Sequence, residues 1–207
     1  ILGAAIVEDG GGRRIGGDPF GEPVAGDFLD VLPLSDDRWM ITVGDVVGHG
    51  LGVGGRMAAL RAETRRLAFD GLSPSEVLSR LDLFQCRLGL EELATLWFGI
   101  YDRSTDWLEY ASAGHLPPVL AGADGATRLL AEASAPPLGS GVVGRHVVAE
   151  RVPFNAGELL VAYSDGLVER AELDLEHQME VLRRLVEPIY EPTLNQRKPE
   201  QLVDLLL

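Results

Sequence analysis

The sequence predicts an α+β fold, with two antiparallel β-sheets packed face to face and helices covering their outer sides. Three observations predict it. Strand-like runs follow one another across short polar connections and so pair as hairpins. Helical periods sit between groups of strands and do not alternate with each strand, which argues against a doubly wound parallel sheet. The helical runs are also amphipathic, so each needs a sheet face to bury its stripe. The chain has 207 residues, 46% hydrophobic and 24% charged, enough for a substantial core. No internal repeat and no linker appears, so residues 1–207 read as one domain.

The elements follow in order. Strands are expected at 1–7, 25–35, 38–46, 93–102, 106–113, 116–121, 127–130, 145–153 and 157–164. Residues 8–23 (EDGGGRRIGGDPFGEP) are rich in Gly and Pro and read as a loop. Ser35-Asp36-Asp37 and Arg103-Ser104-Thr105 are hairpin connections, and Ala123-Asp124-Gly125 is a turn between apolar runs. A helix over 51–69 places Met57, Leu60, Thr64, Leu67 and Ala68 on one face. Arg56, Arg61, Arg65 and Arg66 then read as its solvated side. A second helix, 73–89, begins at SPSE, with Ser73 as N-cap, Pro74 at the first position and Glu76 closing a capping box. Val77, Leu81, Phe84 and Leu88 form its stripe. A third helix is expected near 174–187 and a short fourth from 198 onward. Trp39, Trp97 and Trp107 fall on strands and read as core or sheet-face residues.

Charge and composition exclude some classes. A net charge of −14 argues against nucleic-acid binding, which draws its affinity from clustered Lys and Arg. No apolar run is long enough to span a membrane. The single cysteine, Cys86, cannot form an internal disulfide and suits a reducing cytoplasm. The chain opens at Ile1 without Met, so the expectation is a fragment of a longer protein.

Three aspartates share one local pattern. Asp45 follows an apolar run in VGDVVGHGL, Asp165 follows another in ELLVAYSDG, and Asp27 opens a strand in VAGDFLD. One Asp-Gly alone is ordinary turn chemistry. Three of them, each at the edge of a strongly apolar strand, are harder to explain that way. Clustered carboxylates repel unless a cation neutralises them, and hard divalent ions select oxygen ligands. Two such ions form the centre used by many phosphatases. The His and Cys spacing of a zinc site is missing.

GDFLD (26–30), GDVVGHG (44–50), SAGHLPP (112–118), PLG (137–139) and YSDGLVE (163–169) together resemble the sporulation-stage-II-E/RsbU-type phosphatases. These belong to the metal-dependent PPM (PP2C-like) serine/threonine phosphatases. The resemblance covers nearly the whole chain. It implies a four-layer αββα sandwich and hydrolysis of phosphoserine or phosphothreonine on an anti-sigma-factor antagonist, a STAS-type protein. It also implies two Mn²⁺ or Mg²⁺ ions. Asp45 would bridge them, the Val46 carbonyl would ligate one, Asp165 the other, and Asp27 would bind directly or through water. A metal-activated water would attack phosphorus with no phosphoenzyme. Asp30 matches a frequent family aspartate whose role the resemblance leaves open, with an outer-shell place as one option.

The match departs from the family in one respect. The family's further metal aspartate, in an Asp-Asp stretch opening a last strand, has no counterpart. Asp204 lies in a helix-like run, so a missing tail is the expectation. His49 lies four residues after Asp45 and reads as a turn residue. His115 reads as a structural hydrogen-bonding residue, and Ser164 as support for its turn. His146 and His177 have ordinary strand and helix contexts. For Arg56, Arg61, Arg65 and Arg66, a contact from one of them to a phosphoprotein substrate is the alternative to a solvated side.

In related phosphatases the two helices corresponding to 51–69 and 73–89 are thought to act as a switch. A sensor domain or activator is therefore expected to act on them, with Gly52, Gly54 and Gly55 as a hinge. Motion of the first helix would displace the Val46 carbonyl. A homodimer is left open. Two other functions stand beside the leading one. One is a pseudophosphatase that binds a regulator without turnover, favoured by the absent aspartate. The other is a hydrolase of small phosphoesters, which no motif supports.

Overall fold

The computed structural model describes residues 5–8, 14–15, 26–48, 51–87, 93–122, 124, 126–140 and 147–164. The described elements fall into two compact units, each with its own sheet.

The first unit holds β1 (Ala5–Glu8), β2 (Arg14–Ile15), β7 (Val119–Ala121), β8 (Thr127–Leu129) and β11 (Leu159–Ala162), in the order β2-β1-β11-β7-β8. All its pairings are antiparallel. The β7–β8 hairpin closes as the sequence predicts. Asp124 Oδ1 accepts the Ala126 N–H at 3.0 Å, and the Gly122 N–H donates to the Ala126 carbonyl at 2.8 Å. Strand β2 was not expected, because its two residues lie within a Gly-rich stretch whose composition reads as loop.

The second unit holds β3 (Asp27–Pro33), β4 (Arg38–Val46), β5 (Ala94–Asp102), β6 (Trp107–Ala113) and β10 (Glu150–Pro153), in the order β10-β6-β5-β4-β3. The short β9 (Ser134–Ala135) runs parallel to β6. The strand periods and both hairpin connections match the expectation, with ends trimmed by a few residues. β9 was missed because two residues carry no period.

Helices α1 (Leu51–Phe69) and α2 (Pro74–Arg87) join this sheet in one hydrophobic cluster. Phe28, Met40, Leu96, Phe98, Ile100, Ala111 and Ala113 supply the sheet side. Strand alternation therefore puts the even positions of β3, β4 and β5 toward the helices and the odd positions on the other face. Val53, Met57, Leu60, Thr64, Leu67 and Ala68 bury the α1 stripe. Thr64 is tolerated there because its hydroxyl donates to the Leu60 carbonyl at 2.8 Å.

At the start of α2 the Glu76 carboxylate accepts the Ser73 N–H (2.9 Å), the half of the capping box that SPSE predicts, and the Ser73 hydroxyl donates to the same carboxylate (2.6 Å). Its buried face is Pro74, Val77, Leu78, Leu81 and Gln85. Phe84, expected inside, is only half-buried. The inner line runs through 77, 81 and 85, one position round the helix from the line through 84.

Of the tryptophans, Trp97 is fully buried and stacks on Tyr110 at 5.6 Å. Trp39 stacks on Tyr101, and Trp107 lies under the Arg151 guanidinium. Among the described residues no helix is long and apolar enough to cross a membrane. The helices expected at 174–187 and from 198 lie outside the described residues.

Candidate functional site

The hairpin register brings two of the predicted aspartates together. Asp27 on β3 is the direct partner of Asp45 on β4, and Thr95 on β5 is the next partner in the row. The Val46 N–H donates to the Gly26 carbonyl at 3.1 Å. Residues 26 and 46 thus form a hydrogen-bonded pair, and alternation makes 27/45 a non-hydrogen-bonded one. Such partners share a face with Cβ atoms only about 4.5–5.5 Å apart. Both carboxylates are half-buried and lie on the face away from α1 and α2. Like charges in this arrangement repel, so the pair suits a bound cation.

Gly26 and Gly44 explain why glycine flanks these carboxylates. Gly26 has φ +125°, a conformation side chains rarely adopt. A Cβ there would stand 2.8 Å from Asp45 Oδ1 and 2.9 Å from the Val46 carbonyl oxygen. A carboxylate oxygen and a carbonyl oxygen therefore border one small space that the missing side chain keeps open. Two such hard oxygens fit a Mg²⁺ or Mn²⁺ ion. Gly44 serves close packing on the other face. A Cβ there would meet Leu96 Cδ1 at 2.6 Å and Phe28 Cε1 at 2.9 Å.

The polar row continues beyond Thr95. Its hydroxyl shares a 2.8 Å hydrogen bond with Nδ1 of His115, which is buried. The Ser112 hydroxyl donates to the His115 carbonyl at 3.2 Å. His115 is thus a structural hydrogen-bonding residue, as expected, but one attached to the site's own row. The PLG run lies near the same strand end. Leu138 and Ala94 exchange backbone hydrogen bonds, and the Gly139 N–H donates to Asp82 Oδ1 of α2 at 2.9 Å. In the first unit, the Tyr163 hydroxyl donates to the Pro117 carbonyl at 2.9 Å, linking the YSDG and HLPP runs. Burial pushes the Tyr163 phenol well up. Ser164, expected to support its turn, is buried with no hydrogen-bond partner for its Oγ among the described residues.

Asp30 lies on the helix face, opposite to Asp27 and Asp45. It is 4% exposed and accepts from Arg61 and Arg65 of α1. Burial raises its pKa, but the hydrogen bonds and charges of both arginines outweigh this and hold it below the ordinary value. The expectation of a solvated Arg61 and Arg65 is therefore corrected, because a charge buried on β3 draws them inward. Arg66 is exposed and pairs with Glu63 and Asp70, as a solvated residue does.

Asp165, His49, His146, His177 and Asp204 lie outside the described residues. Among the described residues no group of three or more His, Cys, Asp or Glu side chains is gathered as a metal site. The site residues the sequence reading missed are Gly26, Thr95 and the Arg61–Arg65 pair. Gly26 had a visible signal, since it immediately precedes Asp27. The others depend on register and helix docking.

Comparison with known proteins gives the following. The family model for Stage II sporulation protein E (SpoIIE) matches residues 35–207. The chain is 28% identical over 158 residues to the phosphoserine phosphatase RsbP of Bacillus subtilis, covering 70% of this chain and 37% of that protein. It therefore spans well under half the length of that curated relative. Among solved structures, the RsbU and RsbW domains of Rv1364c from Mycobacterium tuberculosis align with TM-score 0.79 and 30% identity, over 100% of this chain and 56% of theirs. The PP2C phosphatase domain of SpoIIE from Bacillus subtilis, with a fragment of its regulatory domain, aligns with TM-score 0.70 and 18% identity, over 99% and 56%. The catalytic domain of the serine/threonine phosphatase PstP, in complex with two manganese ions, aligns with TM-score 0.59 and 15% identity, over 100% and 91%.

Proposed function

Because the chain belongs to the SpoIIE family of PPM, PP2C-like phosphatases, with an α+β PP2C-like fold, we propose that it is a metal-dependent protein serine/threonine phosphatase. The observation that carries this reading is the placement of Asp27 opposite Asp45, with the Val46 carbonyl beside Asp45 in the space left by Gly26.

In this reading Asp27, Asp45, the Val46 carbonyl and Asp165 hold two Mn²⁺ or Mg²⁺ ions. Bound ions of this kind supply Lewis acidity, which activates a water and stabilises charge developing on a phosphoryl group. The protein's own part is positional. The β3–β4 ladder holds two carboxylates at a fixed separation, so little reorganisation is needed when cations bind. Gly26 keeps side-chain atoms out of that space. Thr95 and His115 extend the polar row on the β5 side. No Ser or Cys nucleophile is needed.

The proposed substrate is a phosphorylated anti-sigma-factor antagonist in a cytoplasmic partner-switching pathway. RsbP and the RsbU domain are the relatives that support this class. The proposed point of regulation is α1 and α2, acted on by a sensor domain or activator.

The test is Mn²⁺-dependent phosphate release from a phosphorylated antagonist, with Asp45→Asn and Asp165→Asn as controls. Release that needs Mn²⁺ and is lost in both variants supports the reading. Release that ignores metal or survives both substitutions overturns it, and binding without release favours a pseudophosphatase.

A further inference from the structure

The buried carboxylate of Asp30 has a use that the metal reading does not absorb. Asp30 sits three residues along β3 from Asp27 and faces α1. Arg61 reaches it through Nε (3.0 Å to Oδ2) and Nη2 (2.6 Å to Oδ1). Arg65, one turn later, does the same through Nε (2.8 Å to Oδ2) and Nη2 (2.6 Å to Oδ1). Arg61 Nη2 also donates to the Leu29 carbonyl at 3.5 Å. Two guanidinium forks thus converge on one carboxylate and occupy both of its oxygens.

We infer that Asp30 is a positioning residue: with Arg61 and Arg65 it fixes α1 on β3, and so keeps α1 against the Asp45–Val46 strand end in cation-binding geometry. The inference rests on the metal reading proposed above. The helix's apolar stripe holds it to the sheet, but apolar contact is non-directional and tolerates rotation and sliding. Paired Arg–carboxylate forks are directional and fix register. Val53 of α1 borders the same space as the Val46 carbonyl: a Cβ on Gly26 would stand 3.5 Å from Val53 Cγ1 and 2.9 Å from the Val46 oxygen, so α1 forms one wall of the candidate cation site. The first turns of α1 contain Gly52, Gly54 and Gly55, which favour helix poorly. Val53 and Met57 anchor the start of the helix by burial alone, and Arg61 and Arg65 add the directional contact further along.

The experiment compares the full chain with Arg65→Gln, Arg65→Lys and Asp30→Asn. Mn²⁺ affinity is measured by calorimetry, and amide hydrogen exchange is followed over residues 51–69. Loss of a residue that orients metal ligands typically costs about 10–100-fold in affinity, and about tenfold is expected for Arg65→Gln. Arg65→Lys, which keeps the charge but loses the fork, should fall between it and wild type. Exchange over α1 should rise about tenfold or more in Arg65→Gln. A lower melting temperature with Mn²⁺ affinity within twofold of wild type would mean a merely structural ion pair and overturns the inference. Should Asp30→Asn fail to fold, the Arg65 variants decide. If wild type itself binds no Mn²⁺, the metal reading fails. The exchange arm then tests the tether alone: faster α1 exchange upholds it and unchanged exchange overturns it.

Discussion

Asp27 faces Asp45 as a non-hydrogen-bonded partner across the β3–β4 ladder, the closest approach two side chains can make between antiparallel strands. Fixed carboxylates at that separation make folding and cation binding interdependent. With Mn²⁺ at 100 times its dissociation constant, the native state should gain about 2.7 kcal/mol by mass action. Asp45→Asn should lose that gain while remaining folded without metal. Thermal melts with and without Mn²⁺ check this. An equal metal-induced rise in both proteins would exclude Asp45 as a ligand.

Gly26 should be intolerant of any side chain. A Cβ would lie within 3 Å of both Asp45 Oδ1 and the Val46 oxygen, at a backbone angle that alanine adopts only under strain. Gly26→Ala is expected to cost about 1–3 kcal/mol in stability. It should also weaken Mn²⁺ binding more than a strand-centre substitution of equal cost. Chemical denaturation and calorimetry on the same samples separate the two effects.

Asp30 gives the fold an acid-sensitive element. Its folded pKa is lowered below the unfolded value of about 3.9, so the unfolded chain binds the proton more tightly. Its contribution is therefore complete above the unfolded pKa and is lost as pH falls through the folded one. Asp30→Asn should be less stable than wild type at pH 7. Its stability should fall more gently below about pH 4, by up to about 1.4 kcal/mol per pH unit. Urea midpoints between pH 2.5 and 6 measure the difference, and parallel curves would rule the contribution out.

Gly54 and Gly55 have open space where a Cβ would be, so close packing does not require glycine at either position of α1. Alanine should stabilise the helix by about 0.5–1 kcal/mol at each site. If α1 works as a moving part, Gly54→Ala should also blunt the response to an activator while leaving basal turnover near wild type. A variant that is more stable and fully responsive would remove the hinge from consideration.

What the sequence disclosed follows from which interactions are local. The strands of the second sheet, the SPSE start of α2 and the α1 stripe depend on alternation, capping and helical period, all within one segment. The pairing of Asp27 with Asp45 was partly legible, because a short polar turn between two strands nearly fixes a hairpin's register. The partners of Asp30 were not. Arg61 and Arg65 look solvated on a helical wheel, and only the docking of α1 against β3 turns them inward. Thr95 carries no sequence signal at all, since its place beside Asp45 comes from a strand beyond two helices.

The link between α2 and the site strand can be tested at Asp82. Its Oδ1 accepts the Gly139 N–H at 2.9 Å. The preceding residue, Leu138, donates to the Ala94 carbonyl at 2.8 Å, and Ala94 is the register partner of Val46. Hydrogen bonds thus run from α2 through the PLG loop to Ala94 on β5, which lies beside Val46 without a hydrogen bond to it; the next bond across is from the Val47 N–H to the Leu93 carbonyl, at 3.0 Å. Asp82→Ala leaves the Gly139 amide without its acceptor and should cost about 1.5–3 kcal/mol, the worth of a hydrogen bond to a charged group. Asp82→Asn keeps an acceptor oxygen and should cost less than half as much. Amide exchange at Gly139 should rise first, and exchange at Ala94 should follow only in the alanine variant. Equal losses in the two variants would mean that the carboxylate's charge, and not this hydrogen bond, holds the loop to α2.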